Sequence, residues 1–341
     1  MSGGLLASTA TVTAGNLASR ITGFLRVLAV GLALGTTFAG NTYQSANVVS
    51  NVLFELLAAG MLSTVLVPPF VRLFDDGRPR DAERLAGTVL AVALVALGTV
   101  IAAGLMLRPW IMRVLTAAVE DPAVRRQEIE LGSFLLVLFL PQLVLYAVGA
   151  VATGLLHGQR RFAAAAFAPV ANNVVVIATM GAFWAMQNGG RPGLDLSTAE
   201  RLVLGMGTTA GVLAMSAIPL VAVWRAGVRL RPRLDGLRQP ELRRLGRSGL
   251  WAAGLVACTQ VLIVTTIVLA NRVEGGVVAY HIAFQVFLLP FALLAHPLIT
   301  ALYPRLASSA LAVDWPGFRR ELGGGLRALA LLTVPAALLM V

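Results

Sequence analysis

The sequence contains no lysine and a single cysteine, Cys258. One cysteine cannot build a disulfide framework or a cysteine-based metal site within the chain. Charged residues are also scarce, at 13% of the sequence, whereas the residues of a soluble domain are about 25% charged. Together with a mean hydropathy of +0.81, this scarcity excludes a soluble enzyme and predicts an integral membrane protein.

The residue patterns of the common catalytic sites are missing as well. The sequence has no Gly-Lys-Ser/Thr loop for nucleotide phosphates and no defensible Ser-His-Asp set. Its histidines, His157, His281 and His296, are too scattered to form a metal-spaced pair. We therefore predict no catalytic residue, no metal and no cofactor. Transport would be driven by an ion gradient, the membrane potential or substrate flux rather than by ATP hydrolysis.

Long apolar runs recur along the whole chain, which excludes a soluble protein with one anchor. A membrane-spanning helix needs about 20 apolar residues at a rise of about 1.5 Å each. The runs do not alternate in polarity, which indicates helices rather than strands. We predict an all-α polytopic bundle with about nine spans, at 5–34, 43–72, 82–107, 130–156, 161–187, 201–225, 243–271, 277–304 and 319–341.

Arginines are unequally distributed between the loops that join these spans. With the N-terminus in the cytoplasm, the inside loops hold the arginines of segments 72–84, 160–161, 225–247 and 305–320, and the outside loops hold fewer. Cytoplasmic loops are normally rich in arginine, so we predict a cytoplasmic N-terminus. Anionic lipid headgroups then account for the net charge of +11, and nucleic acid is not a predicted partner. We interpret the main exception, 108–130, as an amphipathic segment on the outer surface.

A weak internal repeat indicates two related halves. Residues 62–68 (LSTVLVP) resemble residues 298–304 (LITALYP), although chance explains the match equally well in a chain this rich in Ala, Leu and Val. A real repeat would equate span 2 with span 8, as in transporters built from six-helix units. We predict a six-helix N-terminal lobe at 1–235 and the start of a second lobe at 236–341. Because the ninth span runs to Val341, we expect this second lobe to be truncated or completed by a partner.

Arg20 and Arg26 lie inside the first predicted span. Each costs about 2.5–3.5 kcal/mol at the bilayer centre, so each should face a partner or a water-filled cavity. Glu55 is the only acid well inside a predicted span, and we place it at a similar depth on the second span. We expect one arginine to have Glu55 as its charge partner. Such a pair either pins two helices together or belongs to the wall of a cavity that attracts anions.

Amide side chains recur at mid-span. Any one of them could be an ordinary contact between helices, worth about 0.6 kcal/mol. Their number, together with the two arginines, favours a hydrated path through the bundle. We predict that the substrate-binding residues are Arg20, Arg26, Asn47, Asn51, Asn172, Asn173 and Gln285.

Several segments resemble the MurJ (MviN) family. They are SRITGFLR at 19–26, AAGMLS at 58–63 followed by Val67-Pro68, FAPVANN at 167–173, and Tyr303-Pro304. Their order and spacing fit the family over essentially the whole chain. The resemblance implies a member, diverged or truncated, of the superfamily of multidrug, oligosaccharidyl-lipid and polysaccharide exporters.

The resemblance also implies a function. Members of the family move the peptidoglycan precursor lipid II, an undecaprenyl-pyrophosphate glycolipid, across the bacterial cytoplasmic membrane. Two lobes would surround a cationic cavity that admits the pyrophosphate and sugars while the lipid tail stays in the bilayer. Arg20 and Arg26 match the first-helix arginines of the family, and the planar guanidinium suits phosphate recognition.

The chain departs from the family pattern at several cavity positions. It has Asn41 where many members have Asp, Phe54 and Glu55 where they have an arginine pair, and Gln285 where they have an arginine. These departures keep three hypotheses open. The first is a lipid II-like flippase that works by alternating access. The second is an ion-coupled exporter of small cations that uses Glu55, and the third is a non-transporting membrane scaffold for cell-wall synthesis proteins.

Overall fold

The computed structural model describes residues 2–56, 67–233, 240–290, 295–311 and 313–338. Every regular element within these ranges is a helix, which lets each backbone polar group find its partner inside its own segment of the bilayer. The helices are α1 (Ser2–Leu34), α2 (Phe38–Phe54), α3 (Val67–Asp75), α4 (Pro79–Leu115), α5 (Pro122–Phe139), α6 (Gln142–Gly158), α7 (Ala163–Met186), α8 (Thr198–Arg225), α9 (Pro240–Ala270), α10 (Gly276–Pro290), α11 (His296–Leu311) and α12 (Trp315–Leu338).

Within the described residues, five helical stretches are long and apolar enough to cross a membrane, and they coincide with predicted spans 1 and 3–6. They are Thr11–Leu34, Pro79–Leu115, Pro122–Gly158, Ala163–Met186 and Thr198–Arg225. Two shorter apolar helices, Val256–Ala270 and Gly276–Leu288, fall on predicted spans 7 and 8. The all-α polytopic membrane class is thereby confirmed. Residues 57–66 lie outside the described ranges, so the repeat that includes them stays a prediction.

The predicted surface segment at 108–130 is wrong. Helix α4 continues to Leu115, and α5 begins at Pro122 after a short turn. Helix α4 contains 37 residues, so it is about 55 Å long against a hydrocarbon core of about 30 Å. Bilayer thickness therefore does not set where these helices end, and residues 108–130 mainly extend two spanning helices.

Predicted span 130–156 is the middle of a longer stretch that Leu140 and Pro141 interrupt. Helix α5 ends at Phe139, and α6 begins at Gln142. Proline has no backbone N–H to donate to the preceding turn, which accounts for the break at this point. The two helices together make one candidate span, Pro122–Gly158.

Side chains and turns define several helix ends. Gly35 adopts a positive φ of 61° after α1, a conformation that glycine tolerates better than other residues. Thr37 then caps α2 by accepting a hydrogen bond from the Gly40 backbone. Asp121 caps α5 in the same way, and Ser197 begins α8 with a full capping box.

The chain divides into two compact units, residues 1–279 and 280–341. In the first unit, α7 packs along both α8 and α1, α6 packs on α8, and α2 packs on α5. Tyr43 and Phe139 are fully buried at the α2–α5 contact, with their ring centroids 5.9 Å apart. In the second unit, α11 packs on α12. The predicted lobe boundary at residue 235 falls among residues 234–239, outside the described ranges, and stays a prediction.

Candidate functional site

Close packing against α7 fixes the position of α1, the helix that carries the arginines. A Cβ atom added at Gly15 would lie 2.8 Å from the Cβ of Ala166, so the two backbones approach closely there. Two turns later, Asn173 Nδ2 donates to the Ser19 carbonyl at 3.2 Å and to Thr22 Oγ1 at 3.0 Å. These contacts on both sides of Arg20 set the rotation of α1 about its axis.

The two arginines of α1 differ in exposure. Arg20 is exposed, whereas Arg26 is half-buried. Within the part of the chain that the structure describes, neither forms an ion pair with an acidic residue. Helix α1 contacts α2, and α2 contacts α6. Arg26 lies within electrostatic range of the hydroxyls of Tyr43 on α2 and Tyr146 on α6.

Tyr146 on α6 contacts one of the predicted amide residues of α2. Its hydroxyl donates to Asn51 Oδ1 at 3.4 Å, and its ring packs against Phe54 with a centroid separation of 4.8 Å. Asn47 is half-buried and lies four residues before Asn51, so both share one face of α2.

The predicted pairing of Glu55 with an arginine is not observed among the described residues. Glu55 Oε2 instead accepts a hydrogen bond of 2.6 Å from Gln260 Nε2 on α9. The two residues are 205 positions apart. Depth along the first two spans could place Glu55 near Arg20 or Arg26, but it could not reveal that α9 supplies a donor.

The amides of α7 lie at contacts between helices. Asn173 is buried and bonded to α1, as described above. Asn172 faces α8 at Gly211, where an added Cβ would lie 2.5 Å from Asn172 Oδ1. That oxygen is buried and has no hydrogen-bond partner in the described residues. Gln285 belongs to the second unit, where it is half-buried on α10.

A largely apolar cavity of about 270 Å³ lies beside the aromatic pair Phe54 and Tyr146. Its wall continues along α6 to His157 and across α7 and α8 to Pro169 and Ser216. The pair therefore has the polar Asn51 amide on one side and an apolar space on another.

Two tyrosines of the site, Tyr43 and Tyr146, were not among the residues predicted from the sequence. Tyr43 is fully buried, and its hydroxyl forms a 2.8 Å hydrogen bond with Thr208 Oγ1 on α8. A tyrosine hydroxyl in an apolar span needs a partner, a signal that would have drawn attention to Tyr43 and Tyr146. No group of three or more His, Cys, Asp or Glu side chains comes together in the described ranges.

The family is decided by a match that covers most of the chain. Residues 30–341 match the family model described as lipid II flippase MurJ. The chain belongs to the MurJ family. It is a multi-pass protein of the bacterial inner membrane.

Individual MurJ relatives agree with this assignment. The chain is 30% identical over 311 residues to the probable lipid II flippase MurJ of Rhizobium meliloti, covering 87% of this chain and 54% of the relative. It is 27% identical over 345 residues to the lipid II flippase MurJ of Burkholderia cenocepacia, covering 96% of this chain and 62% of the relative. The chain thus spans a little more than half the length of these relatives.

A solved MurJ structure shares the fold. The lipid II flippase MurJ in an inward closed conformation superposes with a TM-score of 0.73 at 15% sequence identity. The superposition covers 95% of this chain and 63% of that chain. The helical architecture is therefore that of MurJ.

Proposed function

We propose that this chain is a transporter, not an enzyme, that moves lipid II or a closely similar undecaprenyl-pyrophosphate glycolipid across the membrane by alternating access. The observation that carries the proposal is the state of Arg26. It is half-buried on α1, which contacts α2, and it has no acidic partner among the described residues.

The cost of holding this charge in the membrane supports an anionic ligand. An arginine inside a span is expensive and usually faces a water-filled cavity or a functional partner. A pyrophosphate would supply the missing negative charge, and the guanidinium offers several donors in a planar fork that matches phosphate oxygens. Arg20, which lies six residues earlier on α1 and is exposed, would contact the same group as it enters.

Polar side chains on α2 and α6 suit a sugar headgroup. Asn47 and Asn51 offer amide donors and acceptors on one face of α2, and Tyr146 adds a hydroxyl and an aromatic face. Ligand sites are typically apolar with a few fixed polar groups that set orientation. We assign Asn47 and Asn51 to the headgroup, whereas Asn173 would act by positioning α1.

Gln285 and Asn172 stay candidate headgroup contacts. The lobes at 1–235 and 236–341 would rock against each other, with the N-terminus in the cytoplasm, and cell-wall synthesis proteins would use the translocated glycolipid. The family match supports a flippase rather than a small-cation exporter or a scaffold. The bond between Glu55 and Gln260 also leaves Glu55 less available as the acid that a cation exporter needs.

A reconstituted flipping assay tests the proposal. The full-length protein in proteoliposomes is compared with an Arg20→Ala/Arg26→Ala double variant, and lipid II exposure is measured on the opposite leaflet. We expect the variant to insert normally and to lose translocation, while Arg26→Lys keeps part of the activity because charge remains without the planar fork. The matched control is Arg113→Ala, since Arg113 lies over the Trp110 ring at the end of α4. Unchanged flipping by the double variant would overturn the proposal.

A further inference from the structure

Glu128, near the start of α5, is a fully buried acid whose carboxyl joins three helices. Its side chain has no exposed surface. Glu128 Oε1 lies 3.1 Å from Thr42 Oγ1 on α2, and Oε2 accepts a 3.1 Å hydrogen bond from Asn271 Nδ2 at the end of α9. The Asn271 amide also reaches the Leu115 carbonyl of α4 at 3.4 Å. Glu128 is not among the residues predicted for the site, because it lies in the stretch 108–130 that was interpreted as a surface segment.

Counting protons shows which state of Glu128 fits this geometry. The Thr42 hydroxyl has one proton, and Thr42 Oγ1 lies 2.8 Å from the Phe38 carbonyl on its own helix. The Phe38 carbonyl and an ionised Glu128 carboxylate both only accept, so the single Thr42 proton can serve one of these two contacts at a time. Both contacts are hydrogen bonds at once only if the Glu128 carboxyl supplies a second proton.

The charges around the junction do not compensate an ionised Glu128. Among the described residues no arginine forms an ion pair with it. Arg201 pairs with Glu130, and Arg272 pairs with Glu120. Other titratable or charged groups lie at this end of the helices α2, α4, α5 and α8 and in the α4–α5 and α9–α10 turns. They are Tyr43, Arg113, Glu120, Asp121, Arg125, Arg126, Glu130, Glu200, Arg201, Arg272 and Glu274. An unpaired buried carboxylate is costly, whereas the neutral acid with both oxygens hydrogen-bonded is not.

We propose that Glu128 is a proton-binding site whose bound proton strengthens the junction of α2, α5 and α9. In the bound state the carboxyl O–H donates to Thr42 and the other oxygen accepts from Asn271. When the proton passes to water, the one Thr42 proton is left for two acceptors, the Phe38 carbonyl and the Glu128 carboxylate. The junction then has one hydrogen bond fewer and holds a buried charge without an ion-pair partner among the described residues, so it is weakened. This site goes beyond the proposed glycolipid transport and does not depend on it.

Infrared spectroscopy of the purified full-length protein in lipid nanodiscs tests the site. A protonated carboxylic acid has a carbonyl band that is distinct from that of a carboxylate. We expect this band at neutral pH in the wild type and its loss in Glu128→Gln, whose amide can replace both hydrogen bonds. Glu130→Gln is the matched control, because Glu130 lies two residues away, is exposed and pairs with Arg201. It should leave the band unchanged.

A second variant separates the two possible directions of the Thr42 bond. Thr42→Val removes the acceptor for the Glu128 proton, so the pH at which the band disappears should fall. If Thr42 instead donates to an ionised carboxylate, the same variant would raise that pH. A rise with Thr42→Val, or a wild-type spectrum at neutral pH without a band that depends on Glu128, would overturn the proposal.

Discussion

Gln260 on α9 donates to the carboxylate of Glu55, the residue at the C-terminal end of α2, at 2.6 Å. Gln260 is almost fully buried, at 4% exposure, whereas Glu55 is exposed. The bond joins the second helix to a helix that follows it by more than 200 residues along the chain. It also means that the acid in the second span is held by an amide rather than by an arginine.

Replacing Gln260 tests the strength of this bond. Hydrogen bonds to charged groups contribute about 1.5–3 kcal/mol, so Gln260→Leu should lower the free energy of unfolding by about that amount. Glu55→Gln keeps a neutral bond and should cost less. Chemical unfolding in mild detergent gives both values. A Gln260→Leu variant as stable as the wild type would show that the bond contributes nothing.

The close contact between α1 and α7 predicts that Gly15 tolerates no side chain. Gly15→Ala would bring the new Cβ within 2.8 Å of Ala166 and 3.2 Å of its backbone. Such overpacking costs about 1–3 kcal/mol. Gly181 on α7 has nothing within 4 Å of an added Cβ, so Gly181→Ala should be neutral or stabilise the helix by up to about 1 kcal/mol. Equal effects of the two variants on thermal stability would contradict the observed packing.

A double-mutant cycle can measure the coupling between Asn173 and Thr22. Their side chains form a 3.0 Å hydrogen bond across α7 and α1. Hydrogen bonds between membrane helices average about 0.6 kcal/mol in such cycles, so Asn173→Ala and Thr22→Val should be non-additive by that amount. Strict additivity in the unfolding free energies would mean that the bond does not position α1.

Loss of the hydroxyl should lower the stability of the protein at Tyr43 and weaken ligand binding at Tyr146. Tyr43→Phe removes a buried bond to Thr208 and should cost about 1 kcal/mol of stability with little change in glycolipid binding. Tyr146→Phe keeps the ring beside Phe54 and should retain stability while weakening binding. Thermal unfolding and lipid II binding, measured on both variants, check this crossover. The proposed headgroup site would lose support if Tyr146→Phe bound lipid II normally.

Features set by short stretches of sequence could be predicted well. The apolar runs around α1, α4, α7 and α8 gave the correct spans, since a run of about 20 apolar residues is stable in a bilayer only as a helix. Helix ends were predicted less well. The continuation of α4 to Leu115 and the break at Pro141 depend on capping and backbone hydrogen bonding rather than on hydropathy.

The sequence by itself determined the all-α membrane class, the family motifs and the presence of two arginines in the first helix, because each of these depends on residues close together along the chain. Only the tertiary structure decided which polar groups meet. Glu55 bonds to Gln260, and Glu128 contacts Thr42 from 86 positions away. Such partners depend on how each helix is rotated and packed against helices far along the chain, and the period of a helix alone does not specify that.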